Sequence, residues 1–244
     1  MAQSTLSSPV QIVGADLLAN SSVQQMNLGA YAETPDGRGF RYAKVGATAT
    51  VAGKVYQSSA LDATNLQPSG GLGVAAAAIG DTSITISTSI TLTANQLAGG
   101  YLSVCVTPGQ GYLYRIKSNT AVSSATGAVI VLEDPLVIAL TTSSKVIVVK
   151  HPYDGVVVEP GTPTGVIVGV APSIVTAAYF GWIQTFGAAS VLFTGTGVAG
   201  KAVGSLSGGT AGSAAPAIAA TNILGYHIAT GITTEYALVF LTIH

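Results

Sequence analysis

Between Glu159 and Lys201 the chain carries no Asp, Glu, Lys or Arg. Such a stretch must meet water through Ser, Thr, Gly, Asn and Gln, or be covered by another chain. We read it as covered. Its most apolar window, "GVIVGVAPSIVTAAYFGWI" at residues 165–183, approaches the roughly 20 residues that a membrane-spanning helix needs. Pro172 interrupts it, Gly165, Gly169 and Gly181 punctuate it, and Val and Ile dominate the remainder. That composition favours short buried strands over a helix, so no membrane partner is expected.

Charge is scarce along the rest of the chain too. Charged residues make up 8% of 244 and the net charge is -1, against roughly 25% charged in an ordinary soluble domain. No basic or acidic excess is present to attract nucleic acid or a membrane surface, so direct nucleic-acid binding is not expected. The opening "MAQSTLSSPVQIVGADL" has neither the basic region nor the continuous apolar core of a secretory signal. The lone Cys105 cannot form an internal disulfide and is expected to be packed. Together these lead to the expectation of synthesis and retention in a cytoplasm.

Period-2 alternation recurs along the chain. In "TSITISTSITL" (82–92) Ile84, Ile86, Ile90 and Leu92 are separated by hydroxyl residues, the pattern of a half-buried strand. "YLSVCV", "YLYRIK", "GAVIVLED", "KVIVVK" and "GVVVE" follow at short intervals between Gly, Pro, Ser and Asn clusters. The fold class is therefore all-β, antiparallel sandwich or barrel domains with very little helix. One helical turn is expected at "TANQLAG" (93–99), with Thr93 as cap and Gly99 as stop.

Two glycine pairs look at first like phosphate loops. In "PGQGYLYRIKSN" (108–119) the third glycine of a dinucleotide fingerprint is missing, and Tyr112, Tyr114 and Ile116 alternate with Leu113, Arg115 and Lys117. Gly109 to Gly111 is thus a turn entering a strand, and "DGRGFRYAK" (36–44) reads the same way. A second echo is longer. "GATATVAGKVYQSS" (46–59) and "GAASVLFTGTGVAGKAVGSLS" (187–207) share an opening Gly-Ala and a Val-Ala-Gly-Lys, each after an aromatic-rich strand. This gives an organisation of an extended N-terminal arm (1–27), a discontinuous β domain (28–70 plus 159–244) and an inserted β module (71–158). The glycine-rich runs at 66–80 and 159–165 are the expected crossings.

Catalytic chemistry has few candidates. His151, His227 and His244 stand in no metal-ligand spacing, and "HPYD" (151–154) reads as a polar turn. Glu133 and Asp134, adjacent on a strand, would point to opposite faces. No Gly-x-Ser-x-Gly elbow occurs. The expectation is a non-enzymatic protein with no cofactor and no metal, in which Trp182 is buried near Tyr179 and Phe186.

Assembly contacts have better candidates, in the arm: Leu6, Val10, Ile12, Val13, Leu17 and Leu18, broken by Pro9 and Gly14. Burying six such side chains recovers less free energy than fixing the backbone that carries them costs. The arm is therefore expected to order only where another surface supplies backbone hydrogen bonds, "VQIVGADLL" adding as a strand or clamp to a neighbouring subunit or shell.

"LGAYAETPDGRGFRYAKVGATATVAGKVYQ", "GQGYLYRIKSN", "VIVLEDPLVIALTTSSKVIVVKHPYDGVVV", "GVAPSIVTAAYFGWIQTFGAASVL" and the closing "EYALVFLTIH" together resemble head decoration, or cement, proteins of tailed bacteriophages. The resemblance spans residues 28–244; residues 1–27 depart from it. It implies a virion structural protein on the outer capsid surface, commonly a homotrimer, that bridges capsomers of major capsid protein and stabilises the expanded head. The alternatives are a phage tail or head-completion protein, or a spike that binds glycans through aromatics such as Trp182, Tyr179 and Phe186. Glycan cleavage would also need paired carboxylates, which residues 160–200 do not supply.

Overall fold

The computed structural model describes residues 10–243 except 61, 63–64, 90, 124–126, 206–208 and 219–221. In chain order its elements are β1 (Val10–Gln11), α1 (Gly14–Leu18), β2 (Tyr31–Glu33), β3 (Gly39–Val45), β4 (Val55–Gln57), β5 (Leu72–Gly73), β6 (Ser83–Ile86), β7 (Tyr101–Val106) and β8 (Leu113–Asn119). There follow β9 (Ala128–Leu132), β10 (Lys145–Val149), β11 (Asp154–Val158), β12 (Ile167–Val170), β13 (Phe180–Leu192), β14 (Ala202–Ser205), β15 (Ala214–Pro216), β16 (Ile223–His227) and β17 (Tyr236–Thr242). The protein is all-β, mostly antiparallel, with parallel pairs at β1/β2 and β3/β11. Its helix lies at Gly14–Leu18 in the expected arm, whereas residues 94–99 form turns. Asn95 and Gly99 both take positive φ, 61° and 74°, which a helix cannot accommodate.

Two compact units make up the chain, Met1–Ser59 with Pro152–His244, and Ala60–His151. The glycine-rich runs read above as crossings lie inside units instead: Leu72–Gly73 is a strand, and residues 160–166 link β11 to β12. Gly and Pro mark tight turns, which hairpins require as much as linkers do.

The unit of residues 60–151 is a six-stranded barrel in the order β5-β10-β7-β8-β9-β6. It is closed by a Val74–Ile86 bridge, with the Ala75 N–H donating to Thr85 O at 2.9 Å and the Ser87 N–H to Gly73 O at 2.8 Å. Alternation places Ile84, Ile86, Leu102, Val104, Ile130 and Val146 in one buried cluster. Gly109 and Gly111, at φ 90° and 87°, turn β7 into β8; the Gly111 N–H donates to Val104 O and the Val104 N–H to Tyr112 O. The strand β6 is shorter than the alternation suggested, and Leu92 forms an isolated bridge to Val122.

The discontinuous unit is built on the thirteen-residue strand β13. Its first half pairs with β3 and closes a ring β3-β11-β4-β12-β13. Its second half pairs with β17 and leads through β16 and β14 to β15, where a Phe193–Ala214 bridge closes a second ring. One core cluster, with Val45, Tyr56, Val168 and Ile183, serves the first ring. Another, with Val191, Phe193, Leu224, Val239 and Leu241, serves the second.

The repeated Val-Ala-Gly-Lys makes the same turn in each ring. The Lys54 N–H donates to Val51 O and the Lys201 N–H to Val198 O, with Gly53 and Gly200 at φ 75° and 78°, leading into β4 and β14. Their surroundings differ. A Cβ on Gly53 would run into the Tyr236 ring, whereas one on Gly200 meets nothing within 4 Å. Gly200→Ala is therefore expected to cost only the left-handed backbone, about 1–2 kcal/mol. Gly53→Ala should cost more because Tyr236 must also move. Denaturant titration of both variants checks this, and equal losses would show that the ring contact adds nothing.

Candidate assembly interface

The aromatic half of β13 has a cover of its own. Trp182 is paired with Tyr42 on β3 and is 4% exposed. The Tyr42 ring meets Trp182 edge-on at 5.2 Å and stacks on Phe180 at 6.0 Å. Ile12 and Leu17 complete this cluster, with Met26, Leu28 and Ala30 against it. The expected neighbours of Trp182 pack elsewhere: Tyr179 lies against the first ring's core, and Phe186, four residues along β13, meets Phe240 edge-on at 5.2 Å.

This placement corrects the expectation for the arm. Residues 10–27 are held by their own unit, which supplies the backbone bonds that a neighbour was expected to supply. Val10 pairs with Ala32, and the Ile12 N–H donates to Glu33 O. Ser21 and Phe180 exchange N–H bonds at 3.0 and 2.8 Å, and the Gln25 N–H donates to Tyr42 Oη at 3.1 Å. Ile12 and Leu17 are buried and offer nothing to another subunit; Val10, Val13 and Leu18 are exposed. Leu6 lies outside the described residues. A cleft of about 300 Å³ remains between this segment and Tyr42, Phe180 and Trp182, and Asp16 is its one carboxylate.

The second half of β13 is different. Along β17 Ala237, Val239 and Leu241 enter the core while Tyr236, Leu238 and Phe240 face out. On β16 Tyr226 stands opposite Phe240, and the Ile228 N–H donates to Leu238 O. On β13 Ala188 and Ser190 stand opposite Phe240 and Leu238. Tyr226, Ile228, Tyr236, Leu238 and Phe240 are each between 39% and 52% exposed. After Glu159 the chain's only Asp, Glu, Lys or Arg residues are Lys201 and Glu235, so this three-stranded face is both apolar and nearly uncharged. The uncharged composition was legible in the sequence; the assignment of these side chains to one open face required the register of three strands.

Among the described residues no group of three or more His, Cys, Asp or Glu could hold a metal ion, and no helix is long and apolar enough to cross a membrane. Cys105 is exposed rather than packed, its Sγ–H directed at Lys145 O at 3.3 Å. His151 stacks with Tyr101 at 6.1 Å, while Asp154 opens β11. Glu133 and Asp134 fall in a bend just beyond β9, with Glu133 beside Arg115 at 3.4 Å. Comparison with family models, with curated proteins and with solved structures finds no match to this chain.

Two ionisable side chains are sealed in the second ring's surroundings. Glu159 is fully buried beside Val55, its N–H donating to Val55 O, and neither carboxyl oxygen has a hydrogen-bond partner. Burial pushes its carboxyl above the ordinary 4.5; the nearby Gly161 amide, though outside hydrogen-bond geometry, acts in the opposite direction. His227 is also buried, edge-on to Phe193 at 4.7 Å, with both ring nitrogens unpartnered, and burial lowers it below 6.5. Neither was distinguishable in the sequence from an ordinary turn or strand residue.

The two groups pull stability in opposite directions. The raised Glu159 favours the folded state below pH 4.5 and loses that contribution as pH rises through its folded value. The lowered His227 contributes above pH 6.5 and loses that contribution as pH falls through its folded value. Relative to the unchanged chain, Glu159→Gln is expected to make stability rise more steeply with pH above 4.5, and His227→Gln to make it rise less steeply below 6.5. Each change is at most about 1.4 kcal/mol per pH unit. Melting midpoints across this range check both, and a Glu159→Gln profile parallel to the unchanged chain would show that the carboxyl is not sealed.

Proposed function

We propose that this chain is a non-enzymatic structural protein of a tailed-phage virion, made in the host cytoplasm, that binds the outer surface of the head. It bridges capsomers and stabilises the expanded shell, with the major capsid protein and further copies of itself as partners, and without direct contact to nucleic acid or membrane. The observation that carries this reading is the open face of β13, β16 and β17, where aromatic and aliphatic side chains stand half exposed with almost no charge around them. Contiguous apolar surface of that kind marks protein–protein contact. The sequence resemblance supplies the phage head as the setting.

Titrating purified protein onto expanded heads that lack it tests the proposal. The expected result is saturable occupancy and a higher temperature of head disruption. A ligand at about 100 times its dissociation constant stabilises the bound state by roughly 2.7 kcal/mol per site. Heads that stay bare at saturating protein, with an unchanged disruption temperature, would overturn the reading.

A further inference from the structure

The cleft beneath the amino-terminal segment holds two polar groups that the chain leaves unused. Trp182 lines it and is 4% exposed, yet its indole N–H has no acceptor among the described residues. Asp16 lines it too, exposed, and its carboxylate meets no hydrogen-bond donor and no cation among the described residues. Ile12, Met26 and Phe180 make the floor apolar, and no Lys, Arg or His takes part in the lining. A largely buried donor without an acceptor costs free energy, and the cleft is where an acceptor has room to sit.

We infer that this cleft binds a small organic cation, an ammonium group on an apolar body that also carries a hydrogen-bond acceptor, as in an amino-acid amide or the amino terminus of a polypeptide. The inference does not rest on the proposed function. Size agrees: about 300 Å³ is the lower end of small-molecule pockets, which are mostly apolar with a few placed polar groups. Charge selects the cation. An anion here would face Asp16 with no basic side chain to offset it, and a wholly apolar ligand would strip water from the carboxylate without replacing it. An aromatic face does not take the charge instead, because the Phe180 ring already has the Lys44 ammonium 5.7 Å from its centre and Tyr42 stacked at 6.0 Å. The ammonium therefore belongs at Asp16, in a charge-assisted hydrogen bond. The apolar body lies over Ile12, Met26 and Phe180, and the acceptor takes the Trp182 N–H.

Trp182 is the chain's only tryptophan, so its fluorescence reports on this cleft. The test titrates the full chain with phenylalanine amide to about 20 mM at about pH 6, where the amine is protonated. The expected result is a saturable change in Trp182 emission. N-acetylphenylalanine amide keeps the ring and gains a carbonyl but has no charge, and should bind at least about tenfold more weakly. Asp16→Asn should weaken phenylalanine amide by at least about tenfold while keeping the melting midpoint. If that variant fails to fold, Asp16→Ser gives the same reading. Phenylalanyl-glycine amide separates the two sources: tighter binding than phenylalanine amide assigns the site to polypeptide amino termini, and equal or weaker binding to small amines, both of which sustain the inference. An emission spectrum that does not move over the titration overturns it. So does unchanged affinity in the acetylated compound or in the Asp16 variant.

Discussion

A strand that is apolar on both faces needs both faces covered, and β13 imposes that demand over its whole length. The inner faces of its two halves meet two cores, one in each ring. The outer face of the first half, Phe180 and Trp182, is covered by Ile12, Leu17 and the residues around Met26 and Leu28. Outside the second half and its neighbours β17 and β16, Tyr226, Leu238 and Phe240 stay in solvent. The chain thus solves the same problem once with its own amino-terminal segment and leaves it open once, at the end of the sheet where charge is almost absent.

Closure of each ring removes most sheet edges, which matters for a chain with so little charge to guard them. The Val-Ala-Gly-Lys turns start β4 and β14 in the two rings, and positive φ at Gly53 and Gly200 lets the chain reverse without strain. Burying Glu159 and His227 without partners works against this economy, since an unpartnered polar group costs free energy wherever water cannot reach it. Burial shifts the Glu159 carboxyl upward and the His227 imidazole downward, each toward its neutral form, which lessens the larger cost of a buried charge.

What the sequence made legible was local. Period-2 alternation located most strands, the residues after Gly109 and Gly111 identified a hairpin turn, and the repeated Val-Ala-Gly-Lys marked two equivalent turns. Partners distant in the chain were not legible. Nothing near residues 10–18 announces that Ile12 and Leu17 will lie on Tyr42 and Trp182, because that contact depends on β3 pairing with β13 across more than a hundred residues. The open face was hidden for the same reason: Tyr226, Leu238 and Phe240 read as ordinary alternating strand residues until β16 and β17 are set side by side. A buried carboxylate such as Glu159 carries no local signature, since its environment is made by β4 and by the backbone at Gly212.

The central claim is that the outer face of β13, β16 and β17 becomes buried on assembly. Hydroxyl-radical footprinting of the free chain and of the assembled protein, read by mass spectrometry, measures this side chain by side chain. The account predicts that the reactivity of Tyr226, Tyr236, Leu238 and Phe240 falls together on assembly, while Val13, exposed elsewhere in the same unit, keeps its reactivity. Unchanged reactivity at those four residues in the assembled state would contradict it.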